Sequence, residues 1–244
     1  MNVKILATCR KLELLPAATL VFKTLRTGFP DAKVTVYINA IPEAVEAIRE
    51  AAVGCTVVTV ETIHHKWIES LVAQENEPFF ICDTDMVFWR EFDQSNLIGS
   101  HIVGTLTPRF RDPFSRCLTM ERLHTCLLYI NPSLVRKRIA RWDLMCPNSV
   151  FTPKVNLFYP LVMPTPFGNT FYDTLALLYS AIGGTFFTAD QIASFDHLHC
   201  GTWVDLIESS MPGMSGLHKS VFNDQNAAKG LRSMQNEFYK RNAC

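Results

Sequence analysis

The first eighty residues alternate between short apolar runs and segments with helical periodicity. Apolar or β-branched runs predict strands at 3–8, 33–38, 55–60 and 79–82. The intervening segments predict helices at 14–27, 42–52 and 63–74. Pro42 stands where a helix favours proline, and Gly28 and Gly54 follow predicted helix ends. This alternation predicts parallel strands joined by right-handed crossovers.

The second half of the chain has a less regular pattern. Short apolar runs predict strands at 102–106, 126–130 and 185–188, and the segments 107–118 and 146–168 are typical of loops. Helices are predicted after Pro132, at 171–182 and at 222–240. The helix after Pro132 carries Arg136, Lys137, Arg138 and Arg141, which we expect on an exposed face. With 244 residues, one α/β domain is the simplest interpretation.

An acidic pair directly follows the most apolar predicted strand. Asp83 and Asp85 come after the wholly apolar run 79–82, and apolar residues resume at Met86. Two residues apart in an extended chain, both carboxylates face the same side, beyond the carboxyl end of a parallel strand. A solvated turn is the common alternative for such a pair. The apolar flanks and the absence of glycine or proline favour a site for Mg²⁺ or Mn²⁺.

Motifs, charge and cysteine content indicate how this protein would hold a phosphate and in which compartment it would work. No Gly-x-Gly-x-x-Gly or Gly-x-x-x-x-Gly-Lys motif occurs, so a metal is the expected phosphate anchor. The net charge is zero, which excludes a global attraction to nucleic acid or anionic membranes. The N-terminus is typical of a first strand rather than a signal peptide, and no apolar run is long enough to span a membrane. Eight cysteines without a Cys-x-x-Cys pair favour reduced, buried thiols in a cytoplasmic protein over a zinc site.

The segment Phe-Phe-Ile-Cys-Asp-Thr-Asp-Met-Val-Phe, residues 79–88, resembles the Asp-x-Asp segment of GT-A-fold, metal-dependent glycosyltransferases of the glycogenin type, family 8. The resemblance implies one GT-A-like domain over 1–244, with a Rossmann-like, mostly parallel central sheet flanked by helices. Residues 1–90 would form the nucleotide-binding half, and 91–244 the acceptor half with the C-terminal tail. Asp83 and Asp85 would bind Mn²⁺ or Mg²⁺ and, through it, the diphosphate of a nucleotide sugar, with UDP as the expected nucleotide.

A histidine late in the chain resembles the third metal ligand of that group. In His197-Leu-His199-Cys-Gly201, the combination of His199 with Gly201 matches the family pattern of a histidine followed closely by glycine. The resemblance therefore implies His199 as metal ligand and Gly201 as a donor contact. His197, on the same side of an extended chain as His199, and Asp196 are alternative ligands.

Further site residues come from two weaker resemblances. The segment 122–131 resembles the family strand that supports the sugar pocket, which implies a catalytic or substrate contact for His124; a polar residue at a strand start is the alternative. Asp173 precedes an apolar helix, as the family's acidic residue below the reacting sugar does, although an interaction with the helix dipole explains it equally well. We assign Thr8 and Arg10, at the end of the first strand, to donor binding together with Asp83.

The resemblance implies transfer of a sugar from a nucleotide sugar to an unidentified acceptor. Glycans, proteins, lipids, small molecules and modified nucleic acids all stay open, the last through Arg109, Arg111 and Arg116. Two other functions stay open. A sugar-nucleotide nucleotidyltransferase would use the same fold and metal, but it usually has a glycine-rich first loop that residues 7–11 lack. A non-catalytic scaffold protein would bind no nucleotide through a metal.

Overall fold

The computed structural model describes residues 1–111, 118–145, 156–165 and 168–197. The strands are β1 Asn2–Cys9, β2 Lys33–Ala40, β3 Thr56–Thr59, β4 Phe79–Cys82, β5 Met86–Phe88, β6 Ile102–Thr107, β7 Phe110–Arg111, β8 Leu118–Thr119, β9 Arg122–Ile130, β10 Leu161–Thr165, β11 Gly168–Tyr172, β12 Thr185–Phe186 and β13 Phe195–His197. The α-helices are α1 Leu15–Thr19, α2 Leu25–Gly28, α3 Pro42–Ala51, α4 His64–Gln74, α5 Pro132–Met145, α6 Ala176–Ile182 and α7 Ala189–Ile192. Two 3₁₀ turns, Leu12–Leu14 and Leu20–Lys23, flank α1.

A seven-stranded sheet in the order β12-β6-β9-β4-β1-β2-β3 forms the centre of the described fold. Its strands are parallel except β9, which is antiparallel to both β4 and β6. A second sheet has the order β10-β11-β8-β7, and β13 pairs with β5 in a two-stranded sheet. The expected α/β class with a mostly parallel central sheet is confirmed.

Buried residues lie on both faces of the central sheet. Ala18, Leu25 and Ile48, from α1, α2 and α3, belong to the core of one face. Trp67 of α4 and Leu177 of α6 belong to the core of the other face, together with Val135 of α5. Strands covered on both faces must be apolar throughout, which explains why the four residues of β4 are all buried. The flanking helices were expected from the alternation, and the structure confirms them.

The strand order reverses beside β1, which creates a topological switch point in the sheet. From β1 the chain moves outward through β2 and β3, and then returns to the other side of β1 as β4. The helices after β1 and after β3 therefore lie on opposite faces, as the two cores show. In open parallel sheets, ligands bind beyond the carboxyl ends of strands at such a switch point. Asp83 directly follows the carboxyl end of β4, at this switch point.

Several predicted elements differ from the structure, among them the loop expected at 107–118, which contains β7. The helix expected at 14–27 is split into short pieces, because the Val21 N–H donates to the Thr84 carbonyl (2.8 Å) instead of continuing a helix. The helix expected at 171–182 begins only at Ala176, and its first two residues belong to β11. Part of the loop expected at 146–168 is strand β10, paired with β11.

The prediction that the basic residues after Pro132 lie on an exposed helix face is wrong for Arg136. Its guanidinium donates to the Glu75 carbonyl (2.8 Å) and to the Val72 carbonyl (2.5 Å) at the end of α4. Arg136 therefore fixes α5 against α4, whereas Lys137, Arg138 and Arg141 are exposed as expected. The helix predicted at 222–240 lies outside the described residues. Among those described, no helix combines the length and the hydropathy that a bilayer crossing requires.

Candidate functional site

Hydrogen bonds from two sides hold the acidic loop after β4. The Asp83 N–H donates to the Cys126 carbonyl of β9 at 2.8 Å, which extends the β4–β9 pairing by one residue. On the other side, the Thr84 carbonyl accepts the Val21 N–H. Both contacts involve backbone atoms, so they position the loop without engaging the carboxylates of Asp83 and Asp85.

His197 completes a three-residue cluster with the acidic pair. It lies opposite Met86 in the antiparallel pairing of β13 with β5. Its Nε2 atom is 3.1 Å from Asp85 Oδ1 and 3.8 Å from Asp83 Oδ2. One ligand atom from each of the three residues lies within 4.8 Å of the other two. The two carboxylates thus converge on one point, as the spacing predicted, and an imidazole meets them there.

The electrostatics of this cluster favour a positive partner. The Asp85 side chain is 7% exposed and the Asp83 side chain 28% exposed. Burial, and next the Asp85 charge, raise the pKa of Asp83. Burial alone lowers the pKa of His197, but its hydrogen bond to Asp85 and the two carboxylate charges raise it overall. Two carboxylates this close repel each other when both are ionised, and a bound cation would remove that repulsion.

The alternative ligand Asp196 points to another partner. Its carboxylate accepts the indole N–H of Trp89, with 2.7 Å between Nε1 and Oδ2. In β13, Asp196 and His197 alternate across the strand, so they face opposite sides. His199 and Gly201 lie outside the described residues, and their assigned roles stay predictions. The sequence pattern had indicated His197 as an alternative ligand, because His197 and His199 face the same side of an extended chain.

A second group of donors lies beside the acidic pair. The His124 and His197 rings stand edge to face, with centroids 5.1 Å apart. The Cys126 N–H donates to His124 Nδ1 at 3.2 Å. Ligand atoms of His124, Cys126 and His197 also lie within 4.8 Å of one another. His124 thus lies beside the acidic cluster, and its predicted role stays a prediction. Cys126 was missed because a buried strand cysteine has no distinctive spacing.

Asp173 lies in an ion pair with Arg122. Its Oδ2 accepts from Arg122 Nε at 3.0 Å and from Nη2 at 2.5 Å, and its Oδ1 accepts the Thr174 N–H at 2.7 Å. Leu175, with φ of +67°, turns the chain from this loop into α6. Nearby, burial lowers the pKa of His64 to about 4, and the Asp173 charge opposes this shift. The catalytic role of Asp173 stays a prediction.

The predicted donor contacts Thr8 and Arg10 lie at the carboxyl end of β1. Both are exposed, and β1 runs parallel to β4 with Ile5 opposite Cys82. They therefore stand at the same edge of the sheet as the acidic pair, on the other side of the switch point. Their contact with a donor nucleotide stays a prediction.

Comparisons with known proteins return structural likenesses only. No protein-family model matches this sequence, and no curated protein is similar to it. The chain is similar to LgtC, solved as a galactosyltransferase with donor and acceptor sugar analogues, at 11% identity and a TM-score of 0.42 over 76% of this chain and 73% of that one. The chain is also similar to the glycosyltransferase GlyE of Streptococcus pneumoniae, at 12% identity and a TM-score of 0.42 over 78% of this chain and 46% of that one. Its similarity to the bifunctional glycosyltransferase WbbM has 6% identity and a TM-score of 0.48, over 77% of this chain and 38% of that one.

With TM-scores below 0.5, these likenesses establish neither family nor function.

Proposed function

We propose that this protein transfers a sugar from a nucleotide-sugar donor to an acceptor, with a divalent metal bound by Asp83, Asp85 and a histidine. The observation that supports it is the meeting of Asp83, Asp85 and His197 at the switch point of the sheet. Switch points of this kind bind nucleotides in other open parallel sheets. The resemblance of residues 79–88 to the Asp-x-Asp segment points to the same chemistry.

The donor set fits the proposed metal. Two carboxylates supply hard oxygen ligands, which Mg²⁺ and Mn²⁺ prefer, and one neutral imidazole suits Mn²⁺ better than Mg²⁺. When bound, the metal would neutralise the diphosphate leaving group and so stabilise the charge that grows as the glycosidic bond breaks. The 3.1 Å contact between His197 Nε2 and Asp85 Oδ1 supports His197 as this histidine. His199, the histidine that the sequence favoured, stays a candidate for the same position.

The remaining site residues receive roles that follow from their contacts. Arg122 orients Asp173 through two hydrogen bonds, so the Asp173 carboxylate is a fixed negative group rather than a freely moving one. Such a group would stabilise the positive charge that develops on the reacting sugar. His124, against the His197 ring, would contact the donor sugar or the acceptor. Thr8 and Arg10 would contact the nucleotide from the end of β1.

Calorimetry tests the metal bridge directly. UDP and UDP-sugars are expected to bind in Mn²⁺ and to bind at least about tenfold more weakly in EDTA, because no glycine-rich loop holds the diphosphate alone. Equal affinity in both buffers would contradict the metal bridge. Nucleotides with other bases, titrated in parallel, identify the donor class.

A turnover assay tests the reaction. Incubation with a panel of nucleotide sugars and Mn²⁺ should give slow hydrolysis of one donor without an added acceptor. Asp85→Asn should abolish it while the circular dichroism spectrum stays unchanged, because the amide keeps the shape but loses the charge. Full activity in Asp85→Asn would remove Asp85 from the site. Condensation of a nucleoside triphosphate with a sugar phosphate would instead identify a nucleotidyltransferase.

A further inference from the structure

The donors beside the acidic pair differ from it in chemical softness. His124 and Cys126 lie on β9, two residues apart, and His197 reaches them from β13. The Cys126 residue is only 4% exposed, and the three ligand atoms lie within 4.8 Å of one another. A thiol between two imidazoles is a donor set for a different class of ion than two carboxylates are.

We propose that His124, Cys126 and His197 form a second metal site, specific for borderline-soft divalent ions of the Zn²⁺ class, which shares His197 with the acidic site. Three protein ligands of nitrogen and sulfur with one open position are an arrangement that zinc adopts in proteins. This site borders the acidic pair, since His197 Nε2 lies within 3.8 Å of both carboxylates.

The geometry requires only small movements. Zinc bonds of about 2.0–2.3 Å place tetrahedral ligand atoms roughly 3.4 Å apart, so atoms at the present upper limit of 4.8 Å would approach by about 1.4 Å. The bond from the Cys126 N–H shows that a lone pair of His124 resides on Nδ1. At 3.2 Å this bond is at the long end of the usual range of about 2.7–3.2 Å, and a metal on Nδ1 would replace it.

Binding at this site releases one proton. The Cys126 thiol loses its proton to solvent and binds as thiolate, while both histidines bind as neutral imidazoles. The nearby carboxylates Asp83 and Asp85 compensate the charge of the bound ion. No oxidation or reduction takes place.

Sharing of His197 makes the two sites compete. An ion on the soft side withdraws His197 from Asp85, so Zn²⁺ and Mn²⁺ should antagonise each other. At any site of nitrogen, oxygen and sulfur ligands, Zn²⁺ binds more tightly than Mn²⁺. Trace zinc would therefore inhibit a Mn²⁺-dependent reaction. The zinc site itself does not depend on sugar transfer, since its test is metal binding.

Cobalt is the probe, because Co²⁺ occupies zinc sites and its thiolate complexes absorb in the near ultraviolet. The reduced full chain is titrated with Co²⁺, and Zn²⁺ is then added to displace it. We expect a thiolate-to-cobalt charge-transfer band that is lost in Cys126→Ser. In His124→Asn, Zn²⁺ affinity should fall by about 100-fold or more, since loss of even an outer partner of a ligand costs about 10- to 100-fold.

Two control variants separate this site from other thiols and from the acidic site. Cys55→Ser removes a half-exposed cysteine outside the cluster and should keep the band. Asp85→Asn should also keep the band while it removes Mn²⁺-dependent activity. A protein with the band but without any transferase activity would refute the proposed function and leave the zinc site standing.

Three results would overturn the zinc site. The first is the absence of a thiolate band in the wild type, and the second is a band that survives Cys126→Ser but disappears in Cys200→Ser. The third is Zn²⁺ affinity that is unchanged in His124→Asn. If circular dichroism shows that Cys126→Ser does not fold, the His124→Asn titration alone decides. Addition of excess Mn²⁺ should weaken Zn²⁺ binding in the wild type, and unchanged Zn²⁺ affinity would refute the sharing of His197.

Discussion

His197 Nε2 lies 3.1 Å from Asp85 Oδ1, although 112 positions separate the two residues in the sequence. The register of a three-residue pairing sets this contact, since β13 opposes His197 to Met86, the residue directly after Asp85. A slip of one residue would turn His197 to the opposite face and bring Asp196 or a neighbour in its place. Asp196, which pairs with Val87, accepts a 2.7 Å hydrogen bond from the Trp89 indole, and this bond opposes such a slip.

We expect His197→Ala to weaken Mn²⁺ binding by about 10- to 100-fold, because it removes a ligand and leaves the two carboxylates facing each other. His199→Ala is the matched variant, two residues along the same segment. Calorimetry of both with Mn²⁺ decides which histidine binds the metal. A larger loss in His199→Ala than in His197→Ala would support the ligand that the sequence favoured and contradict the one that the structure places there.

The acidic pair should make the metal-free protein less stable as the pH rises. Burial and Asp85 raise the pKa of Asp83 to about 7, against about 3.9 in an unfolded chain. Between these values the folded chain binds more protons than the unfolded one, so stability present at low pH is lost as the pH rises through about 7. The raised pKa of His197 acts in the same direction above its reference value. Saturating Mn²⁺ should reverse the trend, because metal competes with protons.

Asp83→Asn isolates this effect from His64. The lowered pKa of His64, about 4, makes the folded protein gain stability as the pH rises toward 6.5, which opposes the Asp83 contribution. Since His64 is present in both proteins, the difference in unfolding free energy between wild type and Asp83→Asn cancels its contribution. Urea unfolding in EDTA at several pH values measures this difference. A difference that does not change between pH 4 and pH 7 would contradict the raised pKa of Asp83.

The position of the acidic pair after a buried strand could be predicted because its geometry is local, while its role as a metal site stays a prediction. Asp83 and Asp85 stand two residues apart after a buried strand, so both position and orientation follow from neighbouring residues. The histidine required a long-range pairing between β5 and β13, which no local pattern specifies. Sequence reasoning could therefore narrow the third ligand to the segment around His197 and His199, but it could not determine which of them faces the acidic pair.

Tertiary contacts also explain the elements that sequence patterns described incorrectly. Residues 14–27 have helical composition, yet the Val21 N–H bonds to Thr84 and the Thr24 hydroxyl accepts the Phe88 N–H at 3.1 Å. These bonds connect the segment to the acidic loop and to β5, and they interrupt the helix. The antiparallel direction of β9 was equally invisible, because an apolar run buried in a sheet has the same composition in either direction.

The Arg122–Asp173 ion pair should contribute to stability as well as to activity. The two side chains are 16% and 32% exposed, and two hydrogen bonds join them. We expect Arg122→Gln to cost about 1–3 kcal/mol, because it leaves the Asp173 carboxylate partly buried without its cation. Chemical denaturation of Arg122→Gln, Asp173→Asn and the double variant gives the coupling energy between the residues.

Turnover of the same three variants separates the catalytic role from the structural one. If Asp173 acts on the reacting sugar, Asp173→Asn should lower kcat far more than its stability loss explains, and the double variant should be no more active. Equal turnover in wild type and Asp173→Asn would remove Asp173 from the catalytic residues. Glu46 and Arg49, an exposed ion pair on α3, provide the control, and Arg49→Gln should change neither quantity.

Gly28 should tolerate no side chain, because it packs against the strand that positions His197. A Cβ atom added there would lie 2.5 Å from ring atoms of Phe88, the last residue of β5. Phe88 is 1% exposed and contacts the Phe29 ring edge to face at 5.2 Å, so it has no room to withdraw. Gly28→Ala should therefore cost about 1–3 kcal/mol, the usual range for overpacking, and should weaken Mn²⁺ binding by displacing β5 and its partner β13.

Thr27→Ala, at the exposed neighbouring position, should leave both properties unchanged. Thermal unfolding and Mn²⁺ calorimetry of the two variants measure the effects, and a Gly28→Ala protein of wild-type stability would contradict the packing of α2 against β5.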